Sequence, residues 1–344
     1  CQIGAQAEWV FEMARRLRKR FVALLIFLAV ILIGPFLVPV ETTGTLSNLE
    51  AAEAVGARGE FVELNELQLY VERTPFQGAG ASQAPLVVLL HGFGASSFSW
   101  REVTDDLALL GEVISYDRPA FGFTERKLQW TGTNPYGSTG QLEILSSVID
   151  AYAKNRPVVL VGHSAGGQIA AQFAIDNPDK VQSLVLIAPS ILTAGGAPSW
   201  LNPLFSVPQI DHLGPLLVSQ IATSGEEILK SSWFDQSLIT DEIWAGYRAP
   251  LQIRNWERAF WEFNRAERKY DVADRISELT QPILLISGIA DTIVPITDST
   301  RLADLLENER FAIIPATGHL PHEEDPASVM AEILKNWSFL VENR

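Results

Sequence analysis

The 344-residue sequence carries a formal net charge of −15, with 47% hydrophobic and 19% charged residues. Nine Trp and seventeen Phe supply core material that disordered chains lack, and the negative balance excludes the basic footprint that a nucleic-acid partner requires. The single cysteine, Cys1, rules out a disulfide framework and a cysteine metal site, and the length fits one large α/β domain with an insertion.

Charge is unevenly placed. Residues 1–40 hold Arg15, Arg16, Arg18, Lys19 and Arg20 against Glu8 and Glu12, a net of +3 that leaves −18 for the remainder. Directly behind this cluster, residues 21–40 read FVALLIFLAVILIGPFLVPV without a charge, long enough to cross a hydrocarbon core about 30 Å thick. Basic residues are retained on the cytoplasmic side, so the expectation is a cytoplasmic segment 1–20, a transmembrane signal anchor 21–40 and an exported catalytic domain. A cleaved signal peptide fits less well, because the apolar run is too long and its exit, VPVETTG, lacks an A-x-A-like site. A buried core helix fits less well again, since the run has no polar face. Residues 41–58, rich in polar and small residues, read as a tether to a domain at 59–344.

From residue 61 the pattern alternates. FVELNELQLYVER has period-2 alternation around Asn65, predicting a β-hairpin, and residues 85–90 form a continuous apolar run suited to a buried parallel strand. Similar runs at 113–116, 158–161, 184–187, 283–287 and 311–314 alternate with helical stretches at 141–154, 165–177, 297–306 and 327–341. This order predicts an α/β fold with a doubly wound, mostly parallel sheet. The rhythm breaks between residues 190 and about 274, where aromatic-rich helical segments replace strands; this stretch reads as an inserted helical cap.

The chemistry is expected at strand ends. Gly162-His163-Ser164-Ala165-Gly166 is a G-x-S-x-G pentapeptide between a predicted strand and a predicted helix. A nucleophile on so sharp a turn adopts strained backbone angles, and small neighbours relieve the crowding. Ala165 N–H then lies at a helix N-terminus, ready to stabilise an oxyanion, and Phe93 N–H in His91-Gly92-Phe93-Gly94 is the second donor. His91, locked at a strand end before glycine, reads as a structural hydrogen-bonder. Asp291 and His319 follow the last two predicted strands and complete the order Ser, Asp, His. Neutral imidazole takes the serine proton, and the carboxylate fixes the tautomer. His322 is the rival base, and Glu323, Glu324 and Asp325 are rival acids that follow it; His322 reads instead as a brace of the histidine loop.

The chain resembles the α/β-hydrolase superfamily, most closely its cap-bearing serine hydrolases. The resemblance rests on HGFG, on Tyr116-Asp117-Arg118-Pro119-Ala120-Phe121-Gly122, on GHSAGG, on GIADTIVP and on GHLPHEEDP. It extends over residues 60–344 and implies a Ser-His-Asp mechanism without cofactor or metal. The family branch usually has Gly where this chain has Ala120. Haloalkane dehalogenases and epoxide hydrolases are similar overall but place Asp at the nucleophile, so Ser164 argues against both. Hydrolysis of an ester or related acyl bond is the leading expectation, with carbon–carbon bond hydrolysis, perhydrolysis or a low-turnover ligand receptor as alternatives. In IRNWERAFWEF, Ile253, Trp256, Phe260 and Phe263 recur at three- and four-residue spacing, so a greasy cap face should favour an apolar small-molecule substrate.

Overall fold

A computed structural model of the chain describes residues 2–78, 84–193 and 202–342. Among these, β1 (Glu60–Leu64), β2 (Leu67–Thr74), β3 (Leu86–Leu90), β4 (Glu112–Tyr116), β5 (Val158–His163), β6 (Ser183–Ile187), β7 (Ile283–Gly288) and β8 (Glu309–Ile314) form one sheet. Its strand order is β1-β2-β4-β3-β5-β6-β7-β8. The hairpin β1–β2 turns at Asn65 and Glu66, both with positive φ, and β2 pairs antiparallel with β4. From β4 across to β8 every pairing is parallel.

The apolar runs of β3 to β7 become strands buried on both faces because helices cover each side, whereas the edge strand β8 is only half-buried. Along β3, Leu86, Val88 and Leu90 pack with α4 (Ser138–Tyr152), α5 (Ala165–Asp176) and α10 (Ile296–Leu305). Val87 and Leu89 face the opposite layer, made by α3 (Thr104–Leu107) and α12 (Pro326–Val341). A short α11 (Pro321–Glu324) links β8 to α12.

Between β6 and β7 the cap contains α6 (Asn202–Phe205), α7 (Pro208–Ser232), α8 (Asp241–Arg248) and α9 (Trp256–Arg265). Asp211 of α7 accepts hydrogen bonds from Trp261 Nε1 at 2.9 Å and Arg265 at 2.5 Å, tying α7 to α9.

The N-terminal region departs from the expected anchor and tether. α1 (Gln2–Leu32) is a 31-residue helix, but it begins ahead of the basic cluster and ends inside the apolar run, and a 3-10 turn at Gly34–Leu37 follows. Pro35 supplies the break, since its ring and missing N–H cannot continue a helix. Only residues 21–32 of the run are α-helical, about 18 Å at about 1.5 Å per residue, against about 30 Å of hydrocarbon. Among the described residues no helix is long and apolar enough to cross a membrane. The apolar residues of this stretch, Phe21, Leu25 and Phe27 among them, are exposed.

The stretch expected as a tether is instead packed. Thr43 donates to Glu257 Oε1 through both N–H and Oγ1 at 2.6 Å, and Thr42 Oγ1 donates to Oε2 at 2.8 Å. Leu46 forms a parallel bridge with Ile253, and α2 (Asn48–Ala54) follows behind a Ser47–Glu50 capping box. Ala51 and Ala52 of α2 pack with Tyr70 and Phe123 of the sheet domain. Residues 42–54 therefore strap the cap to the body.

Candidate active site

β5 ends at His163 and α5 begins at Ala165, leaving Ser164 on the turn with φ 51° and ψ −118°. That backbone is strained for a residue with a side chain, at a cost of order 1–3 kcal/mol. The surroundings enforce it: Ser164 N donates to Ile187 O at 2.9 Å, and Ser164 O accepts from Ser190 N at 3.1 Å. Close approach explains the flanking glycines. A Cβ on Gly166 would lie 2.1 Å from Leu90 O, and one on Gly162 would lie 2.6 Å from Gly167 Cα.

His319 and Asp291 come from the loops after β8 and β7. His319 Nδ1 lies 2.8 Å from Asp291 Oδ2, and Asp291 Oδ1 accepts from the N–H groups of Ile293 and Val294 at 2.8 and 2.9 Å. The carboxylate is thus fixed by its own loop and leaves one oxygen for the imidazole. Ser164, Asp291 and His319 are all buried, at 8, 6 and 5% exposure. The rival acids are engaged elsewhere. Glu323 binds Ser99 Oγ, Arg101 and Tyr247 Oη; Glu324 accepts from Gly318 N and Phe234 N; Asp325 caps α12 at Ser328 N.

His163 joins the nucleophile turn to the histidine loop. Its Nε2 donates to His319 O at 2.9 Å, and its ring lies 4.7 Å from that of His319 and 4.8 Å from that of His322. His322 is fully buried, with Nε2 3.1 Å from Ser99 Oγ and its ring 4.7 Å from Trp100. Burial, then the neighbouring His319, pulls its pKa down to about 3, so it is neutral at neutral pH. Burial likewise holds His163 and His91 well below the ordinary histidine value.

Among the described residues, neither Phe93 N–H nor Ala165 N–H has a backbone acceptor. The loop carrying Phe93 crosses close to Ser164, since a Cβ on Gly92 would lie 3.3 Å from Ser164 Cβ and 2.8 Å from His163 Nδ1. The Phe93 ring is half-exposed and packs edge-on with Phe121 and Phe260, their centroids 5.8 and 5.3 Å away. The apolar face expected on α9 therefore divides: Phe260 and Phe263 meet Phe93, whereas Ile253 is buried against α2 and Trp256 against Val218. A cleft of about 400 Å³, counting its open mouth, is walled by Gly94, Ala95, Phe121, Pro250, Trp256 and Phe260. Arg126 and Tyr247 also line it, and Ser164 does not.

Sequence reasoning missed the parts that three residues, His163, Glu324 and Tyr247, play in holding this site together. His163 sits inside the pentapeptide, where its type carries no signal of the carbonyl it reaches 156 residues later. Glu324 and Tyr247 act across the boundary between cap and body, which no local pattern records.

Comparison with known proteins agrees with this architecture. The model of the alpha/beta hydrolase family matches residues 87–333. The 2-hydroxy-6-oxo-6-phenylhexa-2,4-dienoate hydrolase of Burkholderia cepacia is 28% identical over 268 residues, 76% of this chain and 89% of that one. Among solved structures, a thermophilic esterase from Thermogutta terrifontis superposes with a TM-score of 0.63 at 20% identity, covering 82% of this chain and 98% of the esterase. A membrane phospholipase A gives 0.63 at 21% identity over 94% of this chain and 100% of its own. With 247 of its residues matched by the family model and its sheet, elbow and strand-end loops arranged as described, the chain belongs to the alpha/beta hydrolase family.

Proposed function

We propose that this hydrolase is a membrane-attached serine enzyme that cleaves an ester or related acyl bond of an apolar small molecule. The reading rests above all on Ser164 at a strained strand-to-helix turn, with His163 beside it bonded to the main chain of a histidine whose Nδ1 meets a buried carboxylate at 2.8 Å. Asp291 accepts from His319 Nδ1–H, which leaves Nε2 unprotonated to take the proton of Ser164 Oγ. The oxygen then bonds to the acyl carbon, and the carbonyl electron pair moves onto oxygen as an oxyanion held by the N–H groups of Phe93 and Ala165. Collapse expels the leaving group, which takes the proton from His319, and water cleaves the acyl-enzyme by the same steps. No cofactor enters these steps.

The apolar substrate class is supported by Phe93, Phe121, Phe260 and Phe263, which pack together around the loop that carries Phe93; desolvating an unpaired charge beside them costs several kcal/mol. Membrane attachment is supported by the exposed apolar stretch of α1 behind its basic cluster, and by the breadth of the likeness to a structure named as a membrane phospholipase A. Carbon–carbon bond hydrolysis is the second reading, favoured by the Burkholderia relative's name.

The deciding experiment is fluorophosphonate labelling of the protein, followed by turnover of an ester series of increasing acyl length beside a 2-hydroxy-6-oxo-dienoate. We expect wild type to label and to favour medium apolar acyl groups. Ser164→Ala should lose labelling and several orders of magnitude of turnover with its melting temperature nearly unchanged. Retained labelling in that variant rejects the nucleophile, and preferential turnover of the dienoate moves the assignment to the second reading.

A further inference from the structure

Arg118 is 1% exposed, yet among the described residues it takes part in no ion pair. Its neighbour Asp117 is occupied elsewhere, accepting from Ser97 N and Phe123 N at 2.6 Å. A guanidinium buried without a counter-ion is expensive, so the direction of its charge is informative. Its Nη2 donates to Gly92 O at 2.9 Å, and the guanidinium lies 5.0 Å from the Phe121 ring. Burial lowers its pKa to about 10, which still leaves it charged at neutral pH.

The same carbonyl receives a second donor. The backbone N–H of Arg118 donates to His91 Nε2 at 2.9 Å, so Nε2 is the acceptor and the neutral ring carries its proton on Nδ1. Nδ1 lies 2.8 Å from Gly92 O and donates to it. Gly92 O thus accepts one charged and one neutral hydrogen bond. In a trans peptide the N–H points away from the C=O of the same unit, and that N–H here belongs to Phe93. Donors to the oxygen lock the plane of the unit and polarise its N–H, because hydrogen bonds in a chain strengthen one another.

We propose that Arg118 is a positioning residue for the oxyanion hole: through Gly92 O it fixes and polarises the Gly92–Phe93 peptide, and the oxyanion formed on Ser164 is the counter-charge that the resting protein lacks. The proposal rests on the serine-hydrolase reading above. Such a group acts where charge develops, so it lowers the barrier to reaction more than it tightens substrate binding.

The test compares wild type, Arg118→Met and Arg118→Lys for p-nitrophenyl butyrate turnover and for inhibition by butylboronic acid, whose adduct with the serine is tetrahedral and anionic. Wild type must first label with fluorophosphonate and turn over the ester; failure there removes the serine-hydrolase reading itself. Arg118→Met orphans no carboxylate. It should lower kcat by about tenfold or more, leave KM within about twofold and weaken boronate binding by the same factor as kcat. Arg118→Lys should recover part of both losses. Wild-type kcat in Arg118→Met, or a fall in kcat with boronate affinity unchanged, overturns the proposal. Should the methionine variant not fold, Arg118→Gln, which keeps a neutral donor, is judged in the same way: matched falls support the proposal and unmatched ones overturn it.

Discussion

His319 and His322 are both buried and only three positions apart, but one faces Asp291 and the other Ser99 and Trp100. Their substitutions should therefore separate. His319→Ala is expected to abolish ester turnover with little effect on melting, whereas His322→Ala should cost about 2 kcal/mol of stability by opening a cavity behind the loop and should retain labelling. A reversal of the two effects, read by melting and by labelling, would reassign the base. His322 also makes a pH prediction. Its folded pKa of about 3 lies below the unfolded value of about 6.5, so the unfolded chain binds the extra proton between them. The stability it contributes is complete above about pH 6.5 and drains away as pH falls toward 3. Between pH 7 and 5 the wild type should lose about 2 kcal/mol more than His322→Gln in urea melts. Equal losses would mean that His322 takes up its proton as readily in the fold as in the unfolded chain. Ala120 shows how a motif's departure registers physically: its φ of 79° is a conformation that favours glycine, so the residue carries strain of about 1 kcal/mol that glycine would avoid.

At the scale of elements, the positions of Ser164, Asp291 and His319 were legible because each follows an apolar run, fully buried in β5 and β7 and half-buried in the edge strand β8, and the sheet brings the ends of the three strands to one edge. Position along a parallel strand is enough to place them. The role of residues 42–46 was not legible, because Thr42 and Thr43 gain their meaning only from Glu257, a 2%-exposed carboxylate on a helix of the cap. Composition marks the apolar run but not its secondary structure, because the break at Gly34–Leu37 depends on local backbone chemistry that a hydropathy sum ignores. Glu257→Ala would leave three donors of the strap without their acceptor, and should lower stability by about 3 kcal/mol. Limited proteolysis should then cut between residues 41 and 47. Resistance there at wild-type level would show that the strap is held by Leu46 and α2 alone. Deleting the cap is a harsher change than its helical composition implied. It removes Ser232 O from His319 N, a 2.7 Å bond, and Tyr247 from Glu323, so substrate choice is better probed at Phe260 and Phe263.

For the whole molecule, protease applied outside intact cells or right-side-out vesicles should digest or release the part beyond residue 40. Neutralising Arg15, Arg16, Arg18, Lys19 and Arg20 together should weaken that orientation. Protection of the domain in both preparations would reject the exported placement, and release by alkaline carbonate would indicate a helix lying in the interface rather than crossing it. The strap adds a constraint in time. Thr43 and Glu257 are separated by 214 positions, so a ribosome adding about 5–20 residues per second needs about 10–40 s to supply the second after the first. Throughout that interval residues 42–46 have emerged with nothing to hold, and any surface that takes up the apolar end of α1 does so on a chain whose roof is not yet made. Pinning the cap thus waits until about three quarters of the chain has been made, with β7, β8 and the loops that carry Asp291 and His319 still to come.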